Sequence, residues 1–248
     1  MFKVKNEADR ATVYIYGTIG EDWWSPEDEN RAKAFAETLA SLSPKPVDIR
    51  IDSAGGDVYE GFAIASAIQR YEGDTCAYVD GIAASAASYI ALMADRVVMN
   101  DFSMIMIHNA WTFAAGNRNE LRDLADRLEA LDSTIAGIIS ARSALTADEV
   151  VEAMDAETWY GAQDALDAGM CDEVIETQER MAASIDGRLA ERFRNIPQTI
   201  GISAAVSPQP APEPAGEGES HAADSMSGNE PRAAKRAVLL GNRVYWKE

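Results

Sequence analysis

The sequence predicts an α/β fold built around a mostly parallel sheet. Apolar, strand-like runs alternate with helix-like segments over the first hundred residues, and this alternation is typical of right-handed βαβ units. Strong helix-start signals separate the runs. One is Ser25-Pro26-Glu27-Asp28, which supplies an N-cap, a proline at the first helical position and acids in the first turn. Functional sites in such folds form at the carboxyl ends of strands, so the residues that follow each strand are the candidates for function.

The hydrophobic pattern and the turn residues give the order of elements. Strands are predicted at 12–19, 47–51, 75–79, 96–99, 104–107, 158–160 and 171–175. Helices are predicted from Pro26 to before Pro44, from 57 to about 71, from Ser85 onward, at 117–142, at 147–154 and at 163–168. We expect the third strand to break at Asp80-Gly81, ahead of the helix that Ser85 opens.

The helical pattern at 117–142 is longer than a crossover connection requires. It carries an apolar stripe at helical spacing, which consists of Leu121, Leu124, Leu128 and Leu131. We expect this helix to project and to pack against a partner subunit, and a solvated surface helix is the alternative that the pattern leaves open.

Composition divides the chain into four parts. From about residue 201 it shifts, and 207–232 is rich in Pro, Ala, Gly, Ser and Glu, with Met226 as its only sizeable apolar side chain. Such a segment cannot bury enough apolar surface to fold. We therefore expect a folded domain at 1–178, a helical extension at 179–200, a disordered linker at 201–234 and a short basic and apolar terminus at 235–248.

Charge and cysteine usage exclude several classes of function. A net charge of -19 argues against nucleic acid as a direct partner, because phosphate binding needs a basic surface. No uncharged apolar run approaches the roughly 18 residues of a membrane span, and the N-terminus lacks the apolar core of a signal peptide. Cys76 and Cys171 lie in strand-like surroundings without metal-ligand spacing, which indicates buried, reduced thiols in a cytoplasmic protein.

A serine, a histidine and a glycine pair fall at predicted strand ends. His108 is the only imidazole in the part predicted to fold, since His221 lies in the linker. A serine hydroxyl needs a general base with a pKa near neutrality, and histidine is the usual one. With Ser85 as nucleophile, the backbone N–H groups of Gly56 and Ala86 are candidates for an oxyanion hole.

Each of these residues also has a purely structural explanation. Small residues around Ser85 also serve tight helix–strand packing, and a histidine after the apolar run 104–107 is also typical of a core residue.

A third triad member would be a carboxylate, for which Asp155 and Glu157 are the candidates. A Ser–Lys dyad is disfavoured because the chain has no lysine between Lys45 and Lys235. No metal-ligand cluster is present in the sequence, so neither a metal nor another cofactor is expected.

Four separated motifs resemble, in order and approximate spacing, the signature segments of the ClpP-type serine protease family. They are Asp52-Ser-Ala-Gly-Gly56, Gly81-Ile-Ala-Ala-Ser85-Ala, Met106-Ile-His108, and Glu157-Thr-Trp-Tyr-Gly-Ala162 followed by Ala168-Gly-Met-Cys-Asp172. The resemblance covers about residues 10–178. It implies a ClpP/crotonase-like βαβ superhelical unit as the protease domain, with 117–142 as a projecting handle helix and with a disordered C-terminal tail.

The resemblance also implies roles for residues. Ser85 corresponds to the nucleophile, His108 to the base, and the amides of Gly56 and Ala86 to the oxyanion hole. Glu157 stands where the family usually has aspartate, so the identity of the acid stays open between Glu157 and Asp155. The family further implies polypeptide substrates and a homo-oligomer of two stacked heptameric rings. Whether an ATP-driven unfoldase is needed stays open.

The short segment before the first strand and the acidic tail resemble the ClpP-like proteases of phage and prophage head-assembly clusters. Those proteases process scaffold and capsid proteins during head maturation. We therefore expect a serine endopeptidase in the cytoplasm of a bacterium or a phage-infected host. Two alternatives stay open: a crotonase-like acyl-CoA enzyme, whose fold also places backbone amides around an oxyanion, and a non-catalytic, ring-forming assembly protein.

Overall fold

The computed structural model describes residues 3–21, 31–176, 184–203, 236–240 and 243–247. Within these residues the chain forms one eight-stranded, mostly parallel sheet with helices packed against it, and two small two-stranded sheets. The α/β class predicted from the sequence is confirmed.

The elements are numbered in chain order. The strands are β1 (Val4–Asn6), β2 (Ala11–Tyr16), β3 (Val47–Ser53), β4 (Thr75–Ala84), β5 (Arg96–Asn100), β6 (Met104–Ile107), β7 (Thr158–Gly161), β8 (Glu173–Ile175), β9 (Ser184–Asp186), β10 (Gly201–Ser203), β11 (Arg236–Leu240) and β12 (Arg243–Lys247). The helices are α1 (Ala32–Leu42), α2 (Val58–Gln69), α3 (Ala86–Leu92), α4 (Arg118–Arg142), α5 (Ala147–Asp155), α6 (Ala162–Asp167) and α7 (Gly187–Ala190).

The main sheet runs in the order β1-β2-β3-β4-β5-β8, with β6 joined to β4 and β7 joined to β6, and all its pairs are parallel except β1 with β2 and β6 with β7. Strand β3 lies in its middle and alternates between fully buried and partly buried positions, with Val47, Ile49 and Ile51 directed into the core. Strand β1 was not predicted, because its three residues are partly or fully exposed and carry no hydrophobic alternation.

Strand β4 pairs with two different neighbours in succession. Its first half, 76–79, pairs with β5, whereas its second half, 82–84, pairs with β6. The predicted break at Asp80-Gly81 is therefore wrong. The strand continues because the Asp52 carboxylate of β3 accepts a hydrogen bond from the Ile82 N–H at 3.1 Å. Glycine at position 81 leaves room for that carboxylate, since an added Cβ would lie 2.6 Å from its oxygen.

The second half of β4, together with β6 and β7, forms the part of the sheet that carries the candidate site. Strand β6 runs parallel to β4, with Ala84 opposite Met106. Strand β7 returns antiparallel to β6, with Thr158 opposite Ile107. The carboxyl ends of β4 and β6 and the amino end of β7 therefore meet at one edge.

Helix α4 spans 118–142, with Asn117 as its N-cap, in agreement with the helix predicted at 117–142. It has 25 residues, which corresponds to a length of about 37 Å, and a capping box of Asn117 and Glu120 starts it. Its buried residues are Ile135, Ala136 and Ile139, all in the second half. No side chain in the first four turns is fully buried within the described chain: Leu121 is 43% exposed, and Leu124 and Leu128 are partly buried.

The C-terminal part differs from the prediction. Among the described residues of the extension at 179–200, only α7 is helical. Strand β9 precedes it and pairs in parallel with β10, so the first three residues of the predicted linker belong to a folded unit. Ile185 and Ile200 are buried there and pack in a small second core with Ile82. This pairing is non-local, which is why helical periodicity did not reveal it.

Some of the remaining predictions concern residues that the structure does not describe, and the others can be compared with it directly. The helix start at 25–28 and most of the predicted linker, 204–234, lie outside the part of the chain that the structure describes. In the predicted basic and apolar terminus, β11 and β12 form an antiparallel pair. Both cysteines are buried and unbridged. No helix in the described ranges is long and apolar enough to cross a membrane.

Candidate active site

Ser85 lies in a strained turn between β4 and α3. Its backbone has φ 55° and ψ -123°, a conformation that costs a non-glycine residue about 1–3 kcal/mol and that clusters at functional sites. The surrounding structure holds it there: its N–H donates to the Met106 carbonyl at 2.9 Å, and its own carbonyl accepts the Ser88 N–H at 3.0 Å. Ser85 stays partly exposed although Ala84 and Ala86 beside it are buried, so its hydroxyl is accessible.

His108 is the next residue after β6. Because β4 and β6 run in parallel with Ala84 opposite Met106, Ser85 and His108 emerge at the same edge. The Ser85 Oγ and the His108 Nε2 are 2.8 Å apart, which is hydrogen-bond distance. The two side chains that the sequence singled out separately are therefore in direct contact, and the imidazole can take the hydroxyl proton.

The environment of His108 keeps its imidazole neutral. Burial lowers its pKa from 6.5 to about 4, because a desolvated imidazolium is unfavourable. Glu157 opposes this shift, while the positive charges of Arg192 and Arg194 add to it. At neutral pH the ring therefore carries a free lone pair, as a general base requires.

Glu157 is the carboxylate that faces the imidazole. It precedes β7, whose first residue lies opposite Ile107, and is only 3% exposed. Its Oε2 lies 4.0 Å from the His108 Nδ1, about 1 Å beyond a normal hydrogen bond. Asp155, the other candidate, is exposed and instead accepts a hydrogen bond from the Asn109 amide at 2.7 Å.

A segment far along the chain holds the Glu157 carboxylate. We call residues 192–195 the clamp. The backbone N–H groups of Arg194 and Asn195 donate to Glu157 Oε1 at 2.5 and 2.7 Å, and the Arg194 Nε lies 3.6 Å from Oε2. The Phe193 ring centroid lies 5.7 Å from that of His108. Sequence reasoning missed the clamp, because backbone donors in an irregular segment have no residue signature.

The glycine pair brings backbone close to the serine. An added Cβ at Gly55 would lie 2.7 Å from the Ser85 Cβ, and one at Gly56 would lie 2.0 Å from the Ile19 carbonyl oxygen. Only glycine fits either position. Gly56 and Ala86 line the same cleft as Ser85. The Ala86 N–H is the first of α3, so it has no partner within the helix.

The rest of the cleft combines apolar side chains with a few polar ones and one cation. Ile107, Ile135 and Ile139 line it from β6 and α4, and Arg192 lines it from the clamp. Among the described residues no group of three or more His, Cys, Asp or Glu side chains is placed to hold a metal ion. A hydroxyl, a neutral imidazole, a carboxylate and two backbone N–H groups around one cleft are the parts that acyl transfer requires.

Comparison with known proteins identifies the family. The model of the Clp protease family matches residues 24–178, more than half of the chain. The chain belongs to the Clp protease family. It is thereby a member of a family of serine-type peptidases, and the resemblance carried by the four motifs is confirmed at this level.

Curated relatives agree with the family match. The chain is similar to the ATP-dependent Clp protease proteolytic subunit of Bacteroides fragilis, with 31% identity over 166 residues that cover 66% of this chain and 78% of the relative. It is also similar to the subunit of that name from Porphyromonas gingivalis, with 28% identity over 171 residues, or 68% of this chain and 75% of the relative. Subunit 1 of Streptomyces coelicolor is 27% identical over 156 residues, or 61% and 70%.

The low pKa of His108 predicts a specific pH dependence of stability. An unfolded histidine titrates near its ordinary value of 6.5, whereas folded His108 titrates near 4. Between these values the unfolded chain binds more protons, so the contribution of His108 is complete above pH 6.5 and is lost as the pH falls through 4. Over this range the wild type should lose about 3 kcal/mol more of its free energy of unfolding than His108→Gln does.

Denaturant unfolding at half-unit steps from pH 7 to pH 4 measures this difference. The two proteins share all other titrating groups, so subtraction removes the contribution of the many carboxylates. Parallel pH profiles for the two proteins would mean that His108 is not buried in a desolvated form.

Proposed function

We propose that this member of the Clp protease family is a serine endopeptidase in which Ser85, His108 and Glu157 act together. The observation that carries the proposal is the 2.8 Å contact between Ser85 Oγ and His108 Nε2 at the ends of two adjacent parallel strands. A hydroxyl bonded to a neutral imidazole is an activated nucleophile.

The reaction then proceeds through an acyl-enzyme. Ser85 Oγ attacks the peptide carbonyl while His108 takes its proton, and the imidazolium gives that proton to the leaving amine. The N–H groups of Gly56 and Ala86 donate to the oxyanion of the tetrahedral intermediate. Water, deprotonated by the same imidazole, releases the acyl group and regenerates the serine.

Glu157 acts on the imidazolium. Its Oε2 lies 4.0 Å from the His108 Nδ1, and a positive charge on the ring attracts the carboxylate. Catalytic hydrogen bonds are often long before substrate binds and tighten later. The clamp contacts leave Oε1 bonded and Oε2 free of a short hydrogen bond among the described residues, so Oε2 is the oxygen available to orient His108.

The two alternative functions have less support. A crotonase-like acyl-CoA enzyme would need neither Ser85 nor His108, whereas the family match is to Clp proteases. A silent assembly protein would have no reason to keep the strained turn at Ser85, which is unfavourable unless the hydroxyl is used.

Replacing each candidate carboxylate in turn tests whether Glu157 or Asp155 is the third member of the triad. Glu157→Gln should lower kcat/KM for peptide hydrolysis about 10²- to 10⁴-fold, because the imidazolium loses the charge that stabilises it. Asp155→Asn, the matched control two residues away, should stay within about threefold, since that carboxylate bonds Asn109 on the surface. Assays with a fluorogenic peptide decide between them. A loss confined to Asp155→Asn would assign the acid to Asp155.

We also propose that the chain assembles into two stacked heptameric rings through α4. The support is the first half of that helix, where Leu121 is 43% exposed and Leu124 and Leu128 are only partly buried by the described chain. An amphipathic face of this kind is normally covered by another chain.

Sedimentation tests the assembly. Fourteen copies of the 26.8 kDa chain should give a particle of about 375 kDa. Leu128→Arg should break it into smaller species, while Asp126→Arg, which places the same side chain on the opposite face of α4, should not. Equal masses for both variants would place the interface elsewhere.

For substrates, we propose the scaffold and capsid proteins of phage heads. The support is the resemblance of the acidic, Pro- and Ala-rich segment after residue 201 to the tail of phage and prophage head maturation proteases. Incubation of a scaffold protein with the wild type should give discrete fragments on a gel, and Ser85→Ala should give none. If scaffold protein stays intact with the wild type while model peptides are hydrolysed, this substrate assignment is wrong and the protease assignment stands.

A further inference from the structure

Arg192 places a positive charge in the cleft of the reacting pair. It lines the same cleft as Ser85 and His108, and its guanidinium carbon lies 4.8 Å from the centroid of the Trp111 ring. Stacking on an aromatic face fixes the plane of a guanidinium and leaves its edge free for hydrogen bonds. The charge is close enough to His108 to oppose protonation of the imidazole.

Among the residues that the structure describes, this cation has no partner of opposite charge. Across the described ranges, no carboxylate forms an ion pair or a hydrogen bond with the Arg192 side chain. Glu157, the buried acid of the same site, is bonded instead by Arg194 and Asn195. Arg192 is partly buried, and it stays charged because a guanidinium does not lose its proton in a protein.

An unpaired cation in a partly desolvated cleft gains most from a carboxylate ligand. Guanidinium and carboxylate bind through two parallel hydrogen bonds, which are about twice as strong as hydrogen bonds between neutral groups. Ile107, Ile135 and Ile139 beside it suit the aliphatic stem of such a ligand. With a net charge of -19, most of the chain repels acidic peptides, so this cleft is a local exception.

We propose that Arg192 selects polypeptide substrates that carry an acidic side chain, aspartate or glutamate, next to the bond that is cleaved. The inference rests on the proposed endopeptidase function. Arg192 lies beyond residue 178, where the family match ends, so the preference belongs to the C-terminal part of this chain.

Binding to an inactive variant tests the preference separately from catalysis. The probes are fluorescein-labelled, alanine-rich dodecapeptides that differ only in having Glu or Gln at one position, which is moved in steps along the peptide. Fluorescence anisotropy with full-length Ser85→Ala should show at least one position where the Glu peptide binds about tenfold tighter than the Gln peptide. In Ser85→Ala/Arg192→Gln this ratio should fall below about twofold.

Arg70→Gln in the Ser85→Ala background is the matched control. Arg70 is exposed at the opposite end of α2 from the site, about 18 Å away along the helix, and its loss should leave the tenfold ratio intact. Equal affinity for Glu and Gln peptides at every position would overturn the inference. So would a preference that survives Arg192→Gln.

Hydrolysis by proteins with Ser85 intact completes the test. The ratio of kcat/KM values for the Glu and Gln peptides should match the binding ratio in the wild type and collapse in Arg192→Gln, while hydrolysis of the Gln peptide continues. If both peptides are hydrolysed with equal kcat/KM, the role of Arg192 is refuted, but the endopeptidase function is not. Discrimination in binding without any hydrolysis refutes the endopeptidase function and leaves Arg192 as the determinant of a peptide-binding site.

Discussion

The candidate site depends on the parallel pairing between the second half of β4 and β6. This pairing places Ala84 opposite Met106, so the next residues of both strands, Ser85 and then Ile107 and His108, emerge together. A shift of one residue would send one of the side chains to the other face of the sheet. The pairing is possible only because β4 leaves β5 after Val79 and continues past Gly81, where the Asp52 carboxylate bonds the strand.

The same geometry explains the site's electrostatics. Strand β7 returns antiparallel to β6 and carries Glu157 to the imidazole, while the clamp closes over both. Burial is the largest cause that lowers the pKa of His108 to about 4, which makes the imidazole a weak base. The carboxylate counteracts that shift, and Arg192 and Arg194 enhance it. The balance among these three charges therefore sets how readily the imidazole accepts the serine proton.

Much of this arrangement can be predicted from the sequence, because its parts are local. Ser85, His108 and Gly56 each follow an apolar run, and parallel strands bring their carboxyl ends to one edge. The continuation of β4 and the pairing of β9 with β10 could not be predicted, since both depend on partners distant in the chain. The clamp could not be predicted for a further reason. Arg194 and Asn195 bind Glu157 through backbone N–H groups, which every non-proline residue has. Glu157 and Asp155 were left unresolved because two positions in sequence do not define which side chain turns toward the imidazole.

The central claim is that His108 activates Ser85, and covalent labelling with a fluorophosphonate serine probe tests it most directly. The wild type should form a single adduct, mapped by mass spectrometry to the peptide that contains Ser85, and both Ser85→Ala and His108→Ala should lose it. Labelling of Ser85 at the same rate without His108 would show that the imidazole does not activate the serine. An assembled wild-type protein that takes up no probe would show that Ser85 is not an activated nucleophile.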